Sequence, residues 1–293
     1  MKGEDAFRTG MAMLADPAAA KDWRQAIELV VRAASEGHPD AIARRAVFEC
    51  IGIAGSPDWE KAMASLAHAA ERGSASAAGQ LDALKGKSIA ERLAAPPARS
   101  LSANPLIRTI ESFADAAECR WLIDRASGRL ERAAIYTRVT GQSGIDPGRT
   151  NQHALFDFTQ IDVVVELIRS RIATAISAPM PCLEISQVLR YSPGEEFLPH
   201  CDYLDPQIMA GEIGQRGQRA VTVLIYLNDA FEGGETSFPA LGIEHRGRTG
   251  DAILFSNLNP AGKPEPRTIH AGRPPTSGQK WLFSQWVRDR IPN

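Results

Sequence analysis

Two stretches of the first hundred residues are versions of one another. DWRQAIELVVRAASEGHPDA begins at Asp22 and DWEKAMASLAHAAERGSASA begins at Asp58, an offset of 36 residues (58 − 22). Asp-Trp heads both, and Ala26 matches Ala62, Ala33-Ala34 match Ala69-Ala70, Gly37 matches Gly73 and Ala41 matches Ala77. A period of about 20–50 residues marks a stack of small units, none of which can bury its apolar face without a neighbour. The alanines fall where two helices must approach closely, and each glycine falls where the first helix of a pair ends. The unit is therefore a helical hairpin. The same offset sets Arg8 against Arg44 and Met11 against Val47, a weaker match that makes AFRTGMAML the second half of an earlier unit.

This pattern resembles the Sel-like repeats, relatives of the tetratricopeptide repeat. The resemblance implies an α-helical solenoid over residues 1–92 that offers a surface to a protein partner rather than chemistry. Two to three units are near the minimum for independent stability, so the repeats are expected to lean on the C-terminal part of the chain. LAAPPARSLSANP, residues 93–105, is rich in Pro, Ala and Ser and breaks the helical pattern, as a linker does. A second domain is expected over residues 106–293. It starts with a strand in LIRTIESF and a helix capped by Asp115 with Glu118 three residues on, and a second helix fits DVVVELIRSRIATAIS. From Leu183 the pattern turns to short strands and glycine turns, among them LEISQVLRYS, AVTVLIYLND, GGETSFP, DAILFSN and WLFSQWVRD. Strands at that spacing build a barrel or a two-sheet sandwich.

Composition removes some functions. Apolar residues make up 44% and charged residues 23% of the 293, ordinary values for a globular protein of about two domains. A net charge of −2 gives no field to draw nucleic acid or an anionic membrane, so neither is an expected partner. The start, MKGEDAFRTGMAML, lacks the basic and then apolar segments of a signal peptide, and no run of about 18 apolar residues occurs, so a cytoplasmic location is expected. Cys50, Cys119, Cys182 and Cys201 are far apart without C-x-x-C spacing, which suggests neither a zinc clip nor a disulfide framework.

The chemistry is carried by FLPHCDYLDP, just after the turn Ser192-Pro193-Gly194. On an extended strand His200 and Asp202, at i and i+2, face the same side, where an imidazole and a carboxylate can share a metal ion. RTIHAGRPPTSGQKW then adds His270 and, ten residues later (280 − 270), Lys280. Two histidines and one carboxylate on one face of an octahedron hold iron(II) with coordination positions left open.

The ordered string QVLRYSPGEEFLPHCDYLDP, GQRAVTVLIYLNDAFEGGETSFP, GDAILFSN and TIHAGRPPTSGQKWLFSQW spans Gln187 to Trp286. It resembles the catalytic domain of iron(II)- and 2-oxoglutarate-dependent dioxygenases of the prolyl 4-hydroxylase type. Fainter likeness reaches upstream through SFADAAECRWLI and GRTNQHALFDF. The resemblance implies a double-stranded β-helix, or jelly roll, with flanking helices. It places the metal triad on His200, Asp202 and His270, and the lysine that holds the distal carboxylate of 2-oxoglutarate on Lys280. Tyr191 and Thr236 match positions that hydrogen-bond the same cosubstrate, and Arg149 matches a loop arginine able to touch substrate. Tyr203, at the head of the glycine-containing loop 203–219, is a second candidate for the substrate pocket; that loop is a candidate lid. His153 and His245 match no ligand position, and Cys201, between two ligands, is expected to face away from the metal.

The cofactors so implied are Fe(II), 2-oxoglutarate and dioxygen, with ascorbate as reductant and succinate and carbon dioxide as co-products. The leading expectation is a hydroxylase of a prolyl residue in a protein or peptide recruited by the repeats. A free amino acid or small metabolite as substrate, or an oxygen-sensing binding module with slow turnover, are the alternatives that the sequence leaves open. The oligomeric state is not legible in the sequence.

Overall fold

The computed structural model of the chain describes residues 3–16, 22–53, 55–136, 143–145 and 148–292. Its contacts divide into two units, Met1–Leu93 with Phe156–Arg171, and Ala94–Leu155 with Ile172–Asn293.

The first unit is helical. It holds α1 (Glu4–Ala15), α2 (Trp23–Ser35), α3 (Pro39–Ile51), α4 (Trp59–Glu71), α5 (Ala75–Ala83) and the short α6 (Ile89–Leu93). Helices α2 and α4 are the first halves of the two sequence copies, and α3 and α5 are the second halves. The copied alanines Ala26 and Ala62, Ala33 and Ala69, and Ala41 and Ala77 have no exposed surface, so methyl groups set the spacing of the helices. On α1 even a methyl is too large at Gly10, where a Cβ would lie 2.8 Å from the Ala26 carbonyl oxygen. Gly37 and Gly73 come after α2 and α4 with φ of +87° and +98°, a turn that favours glycine. The next residue in each copy caps the following helix: Ala41 N–H donates to His38 Nδ1 at 3.3 Å, and Ala77 N–H donates to Ser74 Oγ at 3.2 Å.

The uninterrupted 106–293 domain expected from the sequence is broken by Phe156–Arg171, which belongs to the helical unit. The reason lies in buried polar contacts. Arg44 on α3 donates to the Ile161 carbonyl at 2.7 Å and to the Phe158 carbonyl, with its guanidinium 5.3 Å from the Phe48 ring and 5.0 Å from the Phe158 ring. Gln80 on α5 accepts from Val163 N–H at 2.9 Å, and Arg171 Nε donates to the Arg92 carbonyl. In the helix that begins at Val163, Val163, Val164, Val165, Leu167 and Ile168 have no exposed surface, and the charged Glu166 and Arg169 buried beside them are paired with each other at 3.2 Å.

The second unit opens with β1 (Arg99–Ala103) and β2 (Leu106–Ile110), paired antiparallel with Arg99 opposite Thr109. Residues 93–105 are thus not all linker. The cause is the partner strand, which supplies the backbone bonds that the Pro- and Ser-rich composition hides. Next along the chain come α7 (Ala116–Ser127), β3 (Glu131–Arg132), β4 (Ala134–Tyr136), β5 (Ser143–Ile145), β6 (Gln152–Phe156) and α8 (Val163–Ile176), most of which belongs to the helical unit. Helix α7 starts with the expected capping box, Glu118 accepting from Asp115 N–H at 2.8 Å. The remaining strands are β7 (Ser186–Tyr191), β8 (Phe197–His200), β9 (Arg219–Tyr226), β10 (Phe231–Gly233), β11 (Thr236–Phe238), β12 (Ile243–His245), β13 (Ala252–Ser256), β14 (His270–Gly272), β15 (Pro275–Gly278) and β16 (Lys280–Arg288). Helix α9 (Ala210–Arg216) lies between β8 and β9, so residues 203–219 are not the irregular loop expected. Arg288 fastens it, donating to Glu212 at 2.6 Å and to the Gly217 carbonyl at 2.7 Å.

One sheet has the order β1-β2-β13-β9-β16-β7-β6-β3 and the other β12-β11-β14-β8; β10 pairs with β15 and β4 with β5. The antiparallel pairing, with a large and a small sheet, is consistent with a 2-oxoglutarate oxygenase jelly roll. Its core draws Leu189, Leu224, Tyr226, Ile253, Phe255 and Leu282 from the large sheet and Phe238 from the small one.

Candidate active site

Strand pairing brings the two histidines together. Strand β8 runs antiparallel to β14 with His200 directly opposite His270, and their ring centroids are 4.2 Å apart. Asp202 arrives differently from the expected shared strand, because β8 ends at His200 and Asp202 lies beyond it. Its carboxylate is aimed by a hydrogen bond instead: Thr222 Oγ1 on β9 donates to Asp202 Oδ2 at 2.6 Å, and Asn257 Nδ2 donates to Thr222 Oγ1 at 2.9 Å. His200, Asp202 and His270 each offer a donor atom, and these atoms all lie within 4.8 Å of one another.

The electrostatics suit a cation. His200 Nδ1 lies 2.8 Å from the Leu198 carbonyl and His270 Nδ1 lies 3.1 Å from the Thr268 carbonyl. A carbonyl only accepts, so the proton of each neutral ring is on Nδ1 and the Nε2 lone pair is free for a metal. Burial, with His270 adding to it, pushes the His200 imidazole down to about 3, so it is neutral at ordinary pH. Burial alone would push the Asp202 carboxyl up, but the two imidazoles and the Thr222 hydroxyl outweigh it and hold the group below its usual range. Phe197 stacks on His200 with centroids 3.4 Å apart, and Phe255 meets His270 edge-on at 4.6 Å. Both rings are thereby fixed in orientation.

From this centre a cavity extends along the inner face of the large sheet. Alternate residues of two strands line it: Gln187, Leu189 and Tyr191 from β7, and Lys280, Leu282, Ser284 and Trp286 from β16. Lys280 stands opposite Tyr191 in the ladder, has no exposed surface and has no hydrogen-bond partner on Nζ among the described residues. Its ammonium sits 5.3 Å from the Tyr191 ring and 5.5 Å from the Tyr226 ring, and burial pushes its pKa from 10.5 down to about 7, with Glu235 only partly offsetting that. A lysine in this state is suited to receive an anion, whose charge would offset the cost of burial.

The other sequence candidates divide. Tyr191 and Thr236 line the same cavity and are buried, and Thr236 Oγ1 lies 2.8 Å from the Tyr226 hydroxyl. Arg149 also lines it, buried, with its guanidinium 4.7 Å from the Phe197 ring and Nε donating to Asn151 at 3.1 Å. Tyr203 is half-buried and does not belong to the cavity wall. The next residue, Leu204, has its N–H and its carbonyl both bonded to the Gln218 side chain. Cys201 does not line the cavity either. His153 is turned to Gln187 at 3.1 Å, and His245 sits on β12 apart from the triad. Sequence reasoning passed over Thr222, Asn257 and Phe197. The only local signal for the first is a hydroxyl within the apolar run AVTVLIYLND.

Two imidazoles and a carboxylate are the donor set of iron(II), and an unpaired buried ammonium in the same cavity fits the far carboxylate of a dicarboxylate. The residues present therefore fit both iron and 2-oxoglutarate. Residues 186–288 match the family model of the 2OG-Fe(II) oxygenase superfamily. Prolyl 4-hydroxylase 1 of Arabidopsis thaliana is 31% identical over 204 residues, covering 65% of this chain and 71% of its own length. The chain belongs to the prolyl 4-hydroxylase group of 2OG-Fe(II) oxygenases. As a member of the group it is a 2-oxoglutarate-dependent dioxygenase, and the family implies Fe(II) at the triad and 2-oxoglutarate beside it. Prolyl 4-hydroxylase 2 of the same plant is 30% identical over 210 residues, covering 64% of this chain and 69% of its own length. The solved viral collagen prolyl hydroxylase of Paramecium Bursaria Chlorella virus-1, in complex with 2-oxoglutarate, is 27% identical with a TM-score of 0.49, covering 62% of this chain and 95% of that one.

Proposed function

We propose that this dioxygenase hydroxylates a prolyl residue of a protein or peptide, with succinate and carbon dioxide as co-products and ascorbate as the reductant that restores iron(II). The observation that carries the reading is the pairing, in one cavity, of the His200, Asp202 and His270 donors with the unpaired Lys280 ammonium. Bound iron and 2-oxoglutarate supply an oxidant able to break an unactivated C–H bond. The chain's own residues do the rest. Lys280 fixes the distal carboxylate, with Tyr191 and Thr236 at its side, and so sets the end of the cosubstrate that faces away from the metal. Apolar walls from Leu189, Leu224 and Leu282 limit water in the cavity and protect the reaction from side paths.

The helical unit, read as Sel-like repeats, is assigned the recruitment of the protein substrate. Stacked helical hairpins offer an extended surface to a partner, which favours docking over chemistry. A prolyl-containing peptide pool incubated with the full chain, iron(II), ascorbate and 2-oxoglutarate is expected to gain one oxygen on proline, seen by mass spectrometry, together with succinate. His200→Ala, Asp202→Ala and His270→Ala should each abolish both products while circular dichroism stays unchanged. Succinate released with no prolyl modification, but with oxygen gained by a free amino acid, would move the substrate to the small-molecule class.

A further inference from the structure

Asp202 is supported on two of three sides by contacts already described. Upstream, His200 ends a strand paired to β14; at its tip, Thr222 holds one carboxylate oxygen. Downstream the chain leaves the strand ladder, and a segment without ladder bonds would let the carboxylate drift. Gln218 closes that third side. Its Oε1 accepts from Leu204 N–H at 2.6 Å, and its Nε2 donates to the Leu204 carbonyl at 2.7 Å. The side-chain amide thus does for Leu204, two residues past Asp202, what a neighbouring strand would do. Gln218 is itself fixed. It is 6% exposed, its N–H donates to Asp289 Oδ1 at 2.9 Å, and its carbonyl accepts from Asp289 N–H at 2.9 Å. Gly217, with φ of +79°, leaves the space that Asp289 needs, since a Cβ there would run into the Asp289 carboxylate.

We propose that Gln218 is a positioning residue for the metal ligand Asp202, keyed to the end of β16 through Asp289. The inference rests on the triad being the iron site. It means that the metal carboxylate is registered against the large sheet twice, directly through Thr222 to its side chain and indirectly through Gln218 to the backbone of Leu204, two residues on. Outer contacts of this kind change metal affinity by about 10–100-fold when removed.

The test uses the full chain and Mn(II) as a redox-inert stand-in for iron(II), with affinity read by electron paramagnetic resonance titration without 2-oxoglutarate. Gln218→Met keeps the volume and removes both bonds to Leu204, and should weaken Mn(II) binding about tenfold. The metal-free protein should keep its circular dichroism spectrum. Asp289→Ala, at an exposed position, should weaken binding about threefold by loosening Gln218 itself. A Gln218→Met protein that binds Mn(II) within twofold of the parent overturns the proposal. If that variant does not fold, Asp289→Ala decides, and parental affinity there overturns it equally. A parent protein that does not bind Mn(II) at all removes the iron site and the proposal together, an outcome distinct from equal binding by parent and variants.

Discussion

Lys280 holds a charge in a place that disfavours charge. Fully buried and without a hydrogen-bond partner among the described residues, its ammonium has a pKa of about 7, while in the unfolded chain it stays protonated up to about 10.5. Between those values unfolding takes up a proton, so the contribution of this group makes the unliganded fold more stable as pH rises from 7 to 10.5. Binding a dicarboxylate has the opposite sign. It draws a proton onto Lys280, so the affinity for 2-oxoglutarate should fall as pH rises above 7, by up to about tenfold per unit. Isothermal titration of 2-oxoglutarate into the Mn(II)-loaded protein at several pH values checks the slope, and Lys280→Met should abolish it. The same substitution should raise the KM for 2-oxoglutarate roughly 30-fold, taking ~2 kcal/mol for one charge-assisted contact. A KM equal to that of the parent would put the anchor elsewhere. At this scale the first contacts were legible: His200, Asp202, His270 and Lys280 stand out because few structural roles ask for those residue types at those spacings. Thr222, Asn257 and Gln218 were not. Each is an ordinary residue whose role exists only through a partner distant in sequence.

Pairing between elements does what no single strand could. Strand β14 has only three residues, too few to declare itself by alternation, and it is held because β11 and β8 flank it on both sides. That pairing places Gly272 against Tyr191 on the cavity wall. A Cβ on Gly272 would lie 3.2 Å from Tyr191 Cε1 and from its hydroxyl, closer than buried atoms normally sit. Gly272→Ala is therefore expected to tilt Tyr191 and raise the KM for 2-oxoglutarate about 3–10-fold, roughly 1 kcal/mol or somewhat more. Its melting temperature should shift little, because the strand conformation accepts alanine. An unaltered KM would show that Tyr191 moves freely or lies off the cosubstrate. The long strands β7, β9, β13 and β16 were readable as apolar runs between turn residues. Strand β1 and helix α9 were not, because Pro- and Gly-rich composition masked segments whose order comes from a paired strand and from Arg288.

The whole molecule departs most from its sequence outline in the path of the chain. The boundary near residue 93 was visible as a loss of helical pattern, but the return of Phe156–Arg171 to the helical unit was not. The apolar run DVVVELI signalled burial without naming the partner, since hydrophobicity has no direction. A chain beginning near Ser100 would keep every metal and cosubstrate residue, yet it would strip Val163, Val164, Val165, Leu167 and Ile168 of their cover and Val163 and Arg171 of bonds to Gln80 and Arg92. It is expected to aggregate or to melt well below the full chain in thermal scanning, and a soluble monomer with parental melting would show that the segment can find other cover. The interleaved path also has a consequence for biosynthesis. The repeats leave the ribosome first, but their unit lacks a wall until Arg171 has emerged, several seconds later at about 5–20 residues per second. During that wait the half-built helical unit lacks the cover that Phe156–Arg171 provides, which ties completion of the earlier-made part to synthesis of the catalytic one.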